Sequence, residues 1–419
     1  MFAKLLRGKS NFFKSVVTLV SASVLAQAVN FFFNIILTRI YTPEHFGYLA
    51  VFLSFTSFIT VFSAGKFDVA LVASSNDEDA RKLFSLSFWV LSITAAFAFI
   101  VIVIIKVMDL YTAPVISDWL YYLVPSIIFL TGFQICWMWN VRIKNFKNIA
   151  GVRVLEPIVN GTVALAFAGF SAYGLLLGSL AAQFVSFVVV LVIVFNRQPL
   201  KQFSFPAPEL KRVFTLYNEF PKINVAQGFL EIFQLSAFAL LLDYFFDAAV
   251  VGFFAMGMRV LQVPVRLLVL PVSHVFFAEA TEIHKNGNSL FPLVKKTIIR
   301  LAITALPVPL VLLFFGEELF AWVFGHNWAT AGEYAKILAY WTFFDLIKAP
   351  IVQIASILNK QREILYFSII SSLVFLLAFS VGGWYFKDIK ITLWLISATQ
   401  SILSILLILL LVKISKQKA

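Results

Sequence analysis

The stretch "ILTRIYTPEHFGYLAVF", Ile36 to Phe52, decides how this sequence is read. It lies between two long apolar runs, with a cation at the end of the first (Arg39), a stop at Thr42-Pro43-Glu44 and a restart at Phe46-Gly47-Tyr48. Proline opens a helix at little cost, because an N–H there would be unpaired anyway, and glycine lets a neighbouring helix come close. The stretch therefore reads as a turn between two membrane helices. Composition supports this: of 419 residues 61% are hydrophobic, 16% aromatic and 13% charged, whereas a soluble domain carries about 25% charged residues. Mean hydropathy is +0.92. The single Cys136 excludes an intrachain disulfide and reads as a packing residue.

Outward from this turn, apolar windows of about 20 residues, the length that crosses a hydrocarbon core, recur twelve times. They are 15–38, 46–65, 83–105, 119–140, 154–171, 174–195, 223–242, 248–270, 297–315, 335–358, 364–386 and 391–412. Lys4, Arg7, Lys9 and Lys14 precede the first window, which has no small-residue cleavage site and reads as a retained signal anchor. Twelve crossings put both ends on one side. Most of the 33 Lys and Arg fall in the end segments and the even-numbered loops. The opposite loops hold Arg39, Lys106, Lys336, Lys387 and Lys390. The positive-inside rule then places both termini in the cytoplasm and accounts for the net charge of +12. No nucleic-acid partner is expected.

The longest of these basic connections, 196–222, divides the windows six and six. It predicts an N-terminal lobe (1–195), a cytoplasmic linker (196–222) and a C-terminal lobe (223–419). Within the linker Leu210, Phe214, Tyr217 and Phe220 recur at helical spacing after Pro208, the pattern of an amphipathic helix on the inner leaflet. The first window carries Ser23, Gln27, Asn30, Asn34 and Thr38 on one face. The seventh carries Asn224, Gln227, Glu231 and Gln234 in the same way. The helix after each opens on glycine and an aromatic, Gly47-Tyr48 and Gly252-Phe253. The expected fold is therefore all-α and polytopic, with twelve transmembrane helices in two six-helix lobes. A pseudo-two-fold axis normal to the membrane would relate the lobes, with a central cavity between them. Each polar stripe has two readings, hydrogen bonding between helices or the wall of a hydrated cavity.

Four ionisable residues fall near the middle of a window: Glu231, Arg259, Asp345 and Lys348. Each costs about 2.5–3.5 kcal/mol there on insertion scales, which makes it a functional candidate. Asp345 and Lys348, three apart, can pair with each other, and Glu231 can pair with Arg259; both pairs also read as plain ties between helices. Arg259, Gln262 and Arg266 form a ladder suited to an anionic, phosphate-bearing cargo, since the planar guanidinium binds phosphate through two donors. Arg153 and Glu156 read as an interfacial pair. No P-loop is present, and no Cys or His spacing suggests a metal site. Neither a cofactor nor catalysis is expected.

Two stretches resemble a known family. "LTRIYTPEHFGYLAVFLS" (37–54) is similar to the signature of polysaccharide flippases of the Wzx or O-antigen type, within the multidrug, oligosaccharidyl-lipid and polysaccharide exporter superfamily. "AAVVGFFAMGMRVLQVPVRLLVLPVSHVFFAEATE" (248–282) is similar to a second family segment, though Glu279 and Glu282 stand where the family often has a basic residue. The resemblance implies a transporter that moves an undecaprenyl-diphosphate-linked oligosaccharide from the cytoplasmic to the periplasmic leaflet of a bacterial inner membrane by alternating access. Arg39 and Arg259 would then meet the diphosphate. Arg266, Lys348, Gln27, Asn30, Asn34, Gln227 and Gln234 complete the substrate path, and Glu231 and Asp345 are the ion-coupling acids. A polysaccharide polymerase and a chain-length regulator are the implied protein partners. One rival is a drug:cation antiporter on the same fold. The other is a membrane polymerase or ligase, disfavoured because the longest outer loop, Gly316 to Tyr334, is short and offers few ionisable groups.

Overall fold

The structure, a computed structural model, describes residues 11–74, 76–109, 114–203, 206–265, 269–358 and 360–416. Among them every regular element is helical. The long helices are α1 (Asn11–Ile40), α2 (Pro43–Ser63), α3 (Asp77–Val107), α4 (Leu123–Arg142), α5 (Phe146–Ala166), α6 (Tyr173–Phe195), α7 (Ala226–Phe245), α8 (Ala248–Pro264), α9 (Phe291–Phe324), α10 (Ala329–Ile351), α11 (Gln361–Ser380) and α12 (Ile389–Ser415). Each coincides with one of the twelve windows. Ten contain a stretch long and apolar enough to cross a membrane, and Ser236–Phe245 of α7 and Ala248–Pro264 of α8 are shorter apolar stretches among the described residues. The chain is an all-α polytopic membrane protein.

Their outward faces are those of helices in lipid. Trp89, Ile93, Phe97, Ile100 and Ile104 line one exposed stripe of α3, and Tyr366, Ile370, Leu373 and Leu377 line another on α11. In water such stripes would favour aggregation; against acyl chains they cost nothing.

Helix ends depart from the windows where polar chemistry extends a helix beyond its apolar run. α3 starts six residues early because Asn76 caps it, accepting the Glu78 N–H, and because Asp77, Glu78 and Asp79 fill a first turn that favours negative charge. The larger correction concerns the expected outer loop from Gly316 to Tyr334. Helix α9 kinks at Phe315, at φ −130° and ψ 15°, and resumes through Glu317 and Glu318 to Phe324; Gly325 reverses the chain at φ 108°, and α10 begins at Ala329. Gly316 and Gly332 make this possible: a Cβ at Gly316 would sit 3.0 Å from the Gly332 carbonyl oxygen, so the antiparallel helices touch backbone to backbone. The eighth window shortens instead, with α8 ending at Pro264 and a separate helix at Leu270–Lys285.

The chain divides into two compact units, one of Met1–Tyr41 with Tyr48–Leu240, the other of Thr42–Gly47 with Leu241–Ala419. The first unit centres on Trp119, whose ring meets Phe52, Tyr48 and Tyr173 edge-on at 5.8–6.3 Å. Helices α4 and α6 are tied by Ser126 Oγ donating to Gln183 Oε1 at 2.7 Å. Within the linker, Ala207–Leu216 is helical and buries Leu210 and Val213, while Phe214 stays 47% exposed. The face that buries is thus rotated from the Leu210–Phe214–Tyr217–Phe220 spacing. It is held by ion pairs, Arg212 to Asp79 at 2.9 Å and Glu209 to Lys82 at 2.8 Å. In the second unit Phe276, Val294, Ile351 and Leu411 form one core cluster, and Gln400 of α12 accepts from Ser371 of α11 at 2.7 Å.

Candidate functional site

The second unit contains both the first turn of α2 and all of α8, and these helices meet through two glycines. A Cβ added at Gly47 would collide with the Ala248 carbonyl, and one at Gly252 with the Pro43 carbonyl, while lying 3.1 Å from the Gly47 backbone nitrogen. The two Gly-aromatic dipeptides that echo each other in the sequence are therefore the point of closest approach between the helices that carry them. This approach seats Phe46, 4% exposed, edge-on to Trp328 at 5.1 Å. Two turns along the same face of α8 from Gly252 lies Arg259. Its guanidinium stands over the Phe46 ring, 5.9 Å from the centroid, and the residue is exposed. A ring face attracts a guanidinium without consuming its N–H groups.

Other candidates fall differently. Arg39 ends α1 in the first unit and is exposed. Gln27 and Asn30 are half-buried on the same helix. Asn34 is buried and donates to its own helix, to Asn30 O at 2.6 Å and to Asn30 Oδ1. Gln227, Glu231 and Gln234 lie on α7 with their side chains outside the described ones, and Arg266 lies outside the described residues. Gln262 is half-buried on α8. Asp345 and Lys348 form an ion pair on α10, and the Lys348 ammonium also donates to Ser404 of α12 at 3.4 Å. Arg153 donates to Ser23 of α1 at 2.9 Å and stacks on Trp137 at 4.7 Å, so it ties α5 to α1 and α4.

Sequence reasoning passed over two groups. One is an ionic belt in the first unit. Lys82, its side chain 4% exposed, is held by Glu78 at 2.5 Å and Glu209 at 2.8 Å. Arg142 donates to Leu71 O, Ser74 O and Ser74 Oγ at 2.7–3.1 Å and pairs with Asp77 at 2.7 Å. The other is Asp68, 4% exposed, in the short helix Phe67–Ala73. Its Oδ1 makes no hydrogen bond within the protein. Burial pushes its carboxyl above the ordinary carboxylate range, against the pull of Lys66, the Val69 N–H and the Gln134 side chain. One signal was available in the sequence: "FDVALVA" is an apolar heptad interrupted by a single acid.

The fold is similar to that of solved transporters. The structure is similar to that of the lipid II flippase MurJ in an inward closed conformation, with a TM-score of 0.74 and 14% identity over 95% of this chain and 87% of that one. It is also similar to an inward-facing multidrug resistance MATE family transporter of the MOP superfamily (0.66, 13% identity, 98% and 97% covered). The MATE multidrug transporter DinF-BH matches as well (0.62, 15% identity, 96% of each chain). At such identities the likeness defines the fold. The family model for polysaccharide biosynthesis proteins matches residues 36–333, beginning at the Ile36 of the turn read first, and the chain belongs to that family. No curated protein matches the chain significantly.

Proposed function

We propose that this protein is a flippase for an undecaprenyl-diphosphate-linked oligosaccharide, the repeat unit of an O-antigen or similar surface polysaccharide. It carries this lipid from the cytoplasmic to the periplasmic leaflet of a bacterial inner membrane by alternating access of two six-helix lobes, 1–195 and 223–419, driven by an ion gradient. Membership of the polysaccharide biosynthesis family, on a fold similar to that of a lipid II flippase, carries the reading. In it both termini are cytoplasmic, and the product is handed to a polysaccharide polymerase working with a chain-length regulator. A diphosphate crossing hydrocarbon needs cations and a hydrated path for its sugars, while the prenyl tail stays in lipid. Arg259 meets the diphosphate from the Phe46 ring, and Arg39 meets it at the periplasmic mouth. Arg266, Lys348 and the Gln and Asn residues of α1 and α7 line the path, with Glu231 and Asp345 as coupling acids.

The test is a strain deleted for this gene, complemented with wild-type or Arg259→Ala protein at equal membrane abundance. Surface polysaccharide returns with wild type and not with the variant; its return with Arg259→Ala removes that residue from the cargo path. The likeness to MATE multidrug transporters favours a second reading, a drug:cation antiporter. Rescue of drug tolerance without rescue of polysaccharide decides for it.

A further inference from the structure

Helix α2 ends in a hairpin of backbone, with Gly65 at φ 55° and Lys66 at φ 56°, followed at once by the helix Phe67–Ala73. Two consecutive left-handed residues reverse the chain and drive Phe67, Asp68, Ala70 and Leu71 into the first unit. The far end of this helix is fixed, because Arg142 takes the Leu71 and Ser74 carbonyls. The near end carries Asp68. An ionised carboxylate at such depth costs several kcal/mol unless it is paired and fully hydrogen-bonded, and Oδ1 makes no hydrogen bond within the protein.

The surroundings of Asp68 are few. Its helix packs on α3 and α4. From α4 the Gln134 side chain faces the carboxylate. Arg142 of α4 is engaged by Asp77 and the two carbonyls, Lys82 of α3 by Glu78 and Glu209, and the cation whose charge acts on the Asp68 carboxyl is Lys66. Lys66 remains, and its ammonium is also directed elsewhere: a Cβ built at Gly228 of α7, in the same unit, would lie 3.1 Å from both Lys66 Cε and Nζ. A side chain at 228 would crowd the lysine out. Gln227 and Glu231, on the same helix, have side chains outside the described ones.

We propose that Asp68 is a proton-binding site of the first unit, and that Lys66 moves between the Asp68 carboxylate and the Gly228 face of α7 as the proton leaves and returns. With the carboxyl protonated, the O–H bond neutralises the buried group and Lys66 rests against α7. When the proton passes to water, the carboxylate draws the Lys66 ammonium, and α7 loses that contact. Both residues follow Gly65 within three positions, so a single proton biases the turn that leads from α2 into the helix packed on α3 and α4. The site itself stands without any cargo; its use as the driving-ion site of the N-terminal lobe rests on the flippase reading.

Infrared difference spectra of the purified full-length chain in nanodiscs, titrated with pH, read the site directly. The expected result is a protonated-carboxyl band whose midpoint lies above the ordinary carboxylate range, lost in Asp68→Asn and moved up by about one pH unit in Lys66→Gln, where the cation that favours the anion is gone. Linkage supplies a second readout. With its folded pKa raised, Asp68 contributes stability that is lost as pH rises through its own midpoint, and Asp68→Asn flattens that limb of the melting profile. Titrating carboxyl bands that are unchanged in Asp68→Asn overturn the site, and an unmoved midpoint in Lys66→Gln overturns the exchange. In proteoliposomes loaded with lipid-linked oligosaccharide, a proton gradient speeds transport by wild type and not by Asp68→Asn. Should wild type move no such lipid while the band behaves as stated, the flippase reading fails and the proton site remains.

Discussion

Arg142 and Arg259 are both placed where the sequence shows an arginine beside apolar helix, and the structure treats them in opposite ways. Arg142 is held by two carbonyls, a hydroxyl and a carboxylate, its side chain 13% exposed. Arg259 stands over the Phe46 ring and is exposed. A guanidinium with four fixed oxygen partners is committed to holding the chain, because moving it leaves each of them unmet. One steadied by a ring face is positioned without its donors being consumed there. Carbonyl clamps therefore mark architecture in this protein, and the exposed, ring-seated arginine is the one proposed for the cargo path.

Substitutions at the two sites test that contrast. The largest effect is expected at Gly252→Val: the new side chain meets the Pro43 backbone, which cannot yield, so the first turn of α2 and with it Phe46 lose their seat. Folded protein recovered by size exclusion should fall to near nothing, and normal recovery would break the link between the glycine contact and Arg259. Arg259→Ala comes next, abolishing surface polysaccharide while the melting temperature stays within a few degrees. Arg142→Ala should do the reverse in kind, costing about 2–4 kcal/mol of stability through unmet carbonyls and an unpaired Asp77, read as a lowered melting temperature. Arg259→Lys sharpens the comparison: a point charge replaces the planar fork, so partial polysaccharide is expected, and full activity would argue that charge alone suffices. The smallest effect belongs to Asp345→Asn. The pair it breaks is partly exposed, at 44% for Asp345 and 22% for Lys348, and a loss of no more than about 1 kcal/mol is expected. Loss of transport without loss of stability is the outcome expected of a coupling acid at Asp345, and intact transport would leave the pair as a plain tie within α10.

Much of the fold was legible because a membrane leaves backbone few options. Each apolar window had to close its own hydrogen bonds, and all twelve are helices. Window edges were less legible. The apolar count that ended at Phe315 did meet a break in the helix, since Phe315 is non-helical in φ and ψ, but the chain resumes as helix through Glu317 and Glu318, which hydropathy alone does not show. Of the candidate site, the Gly47 and Gly252 echo was visible as spacing. That the two glycines touch was not, since neither carries a side chain whose pattern could announce a partner.

The sequence by itself determined the class of protein, through apolar length, the scarcity of charge and the turn at Ile36 to Phe52, because those properties are local and additive along the chain. Tertiary structure alone decided what each polar group is for. Asn34 turned to its own helix, Arg142 to carbonyls, Arg259 to a ring, and Asp68 was enclosed with an oxygen that bonds to nothing in the protein. The charge on a residue is written in its name, but its free energy depends on which partners and how much burial the folded chain brings to it.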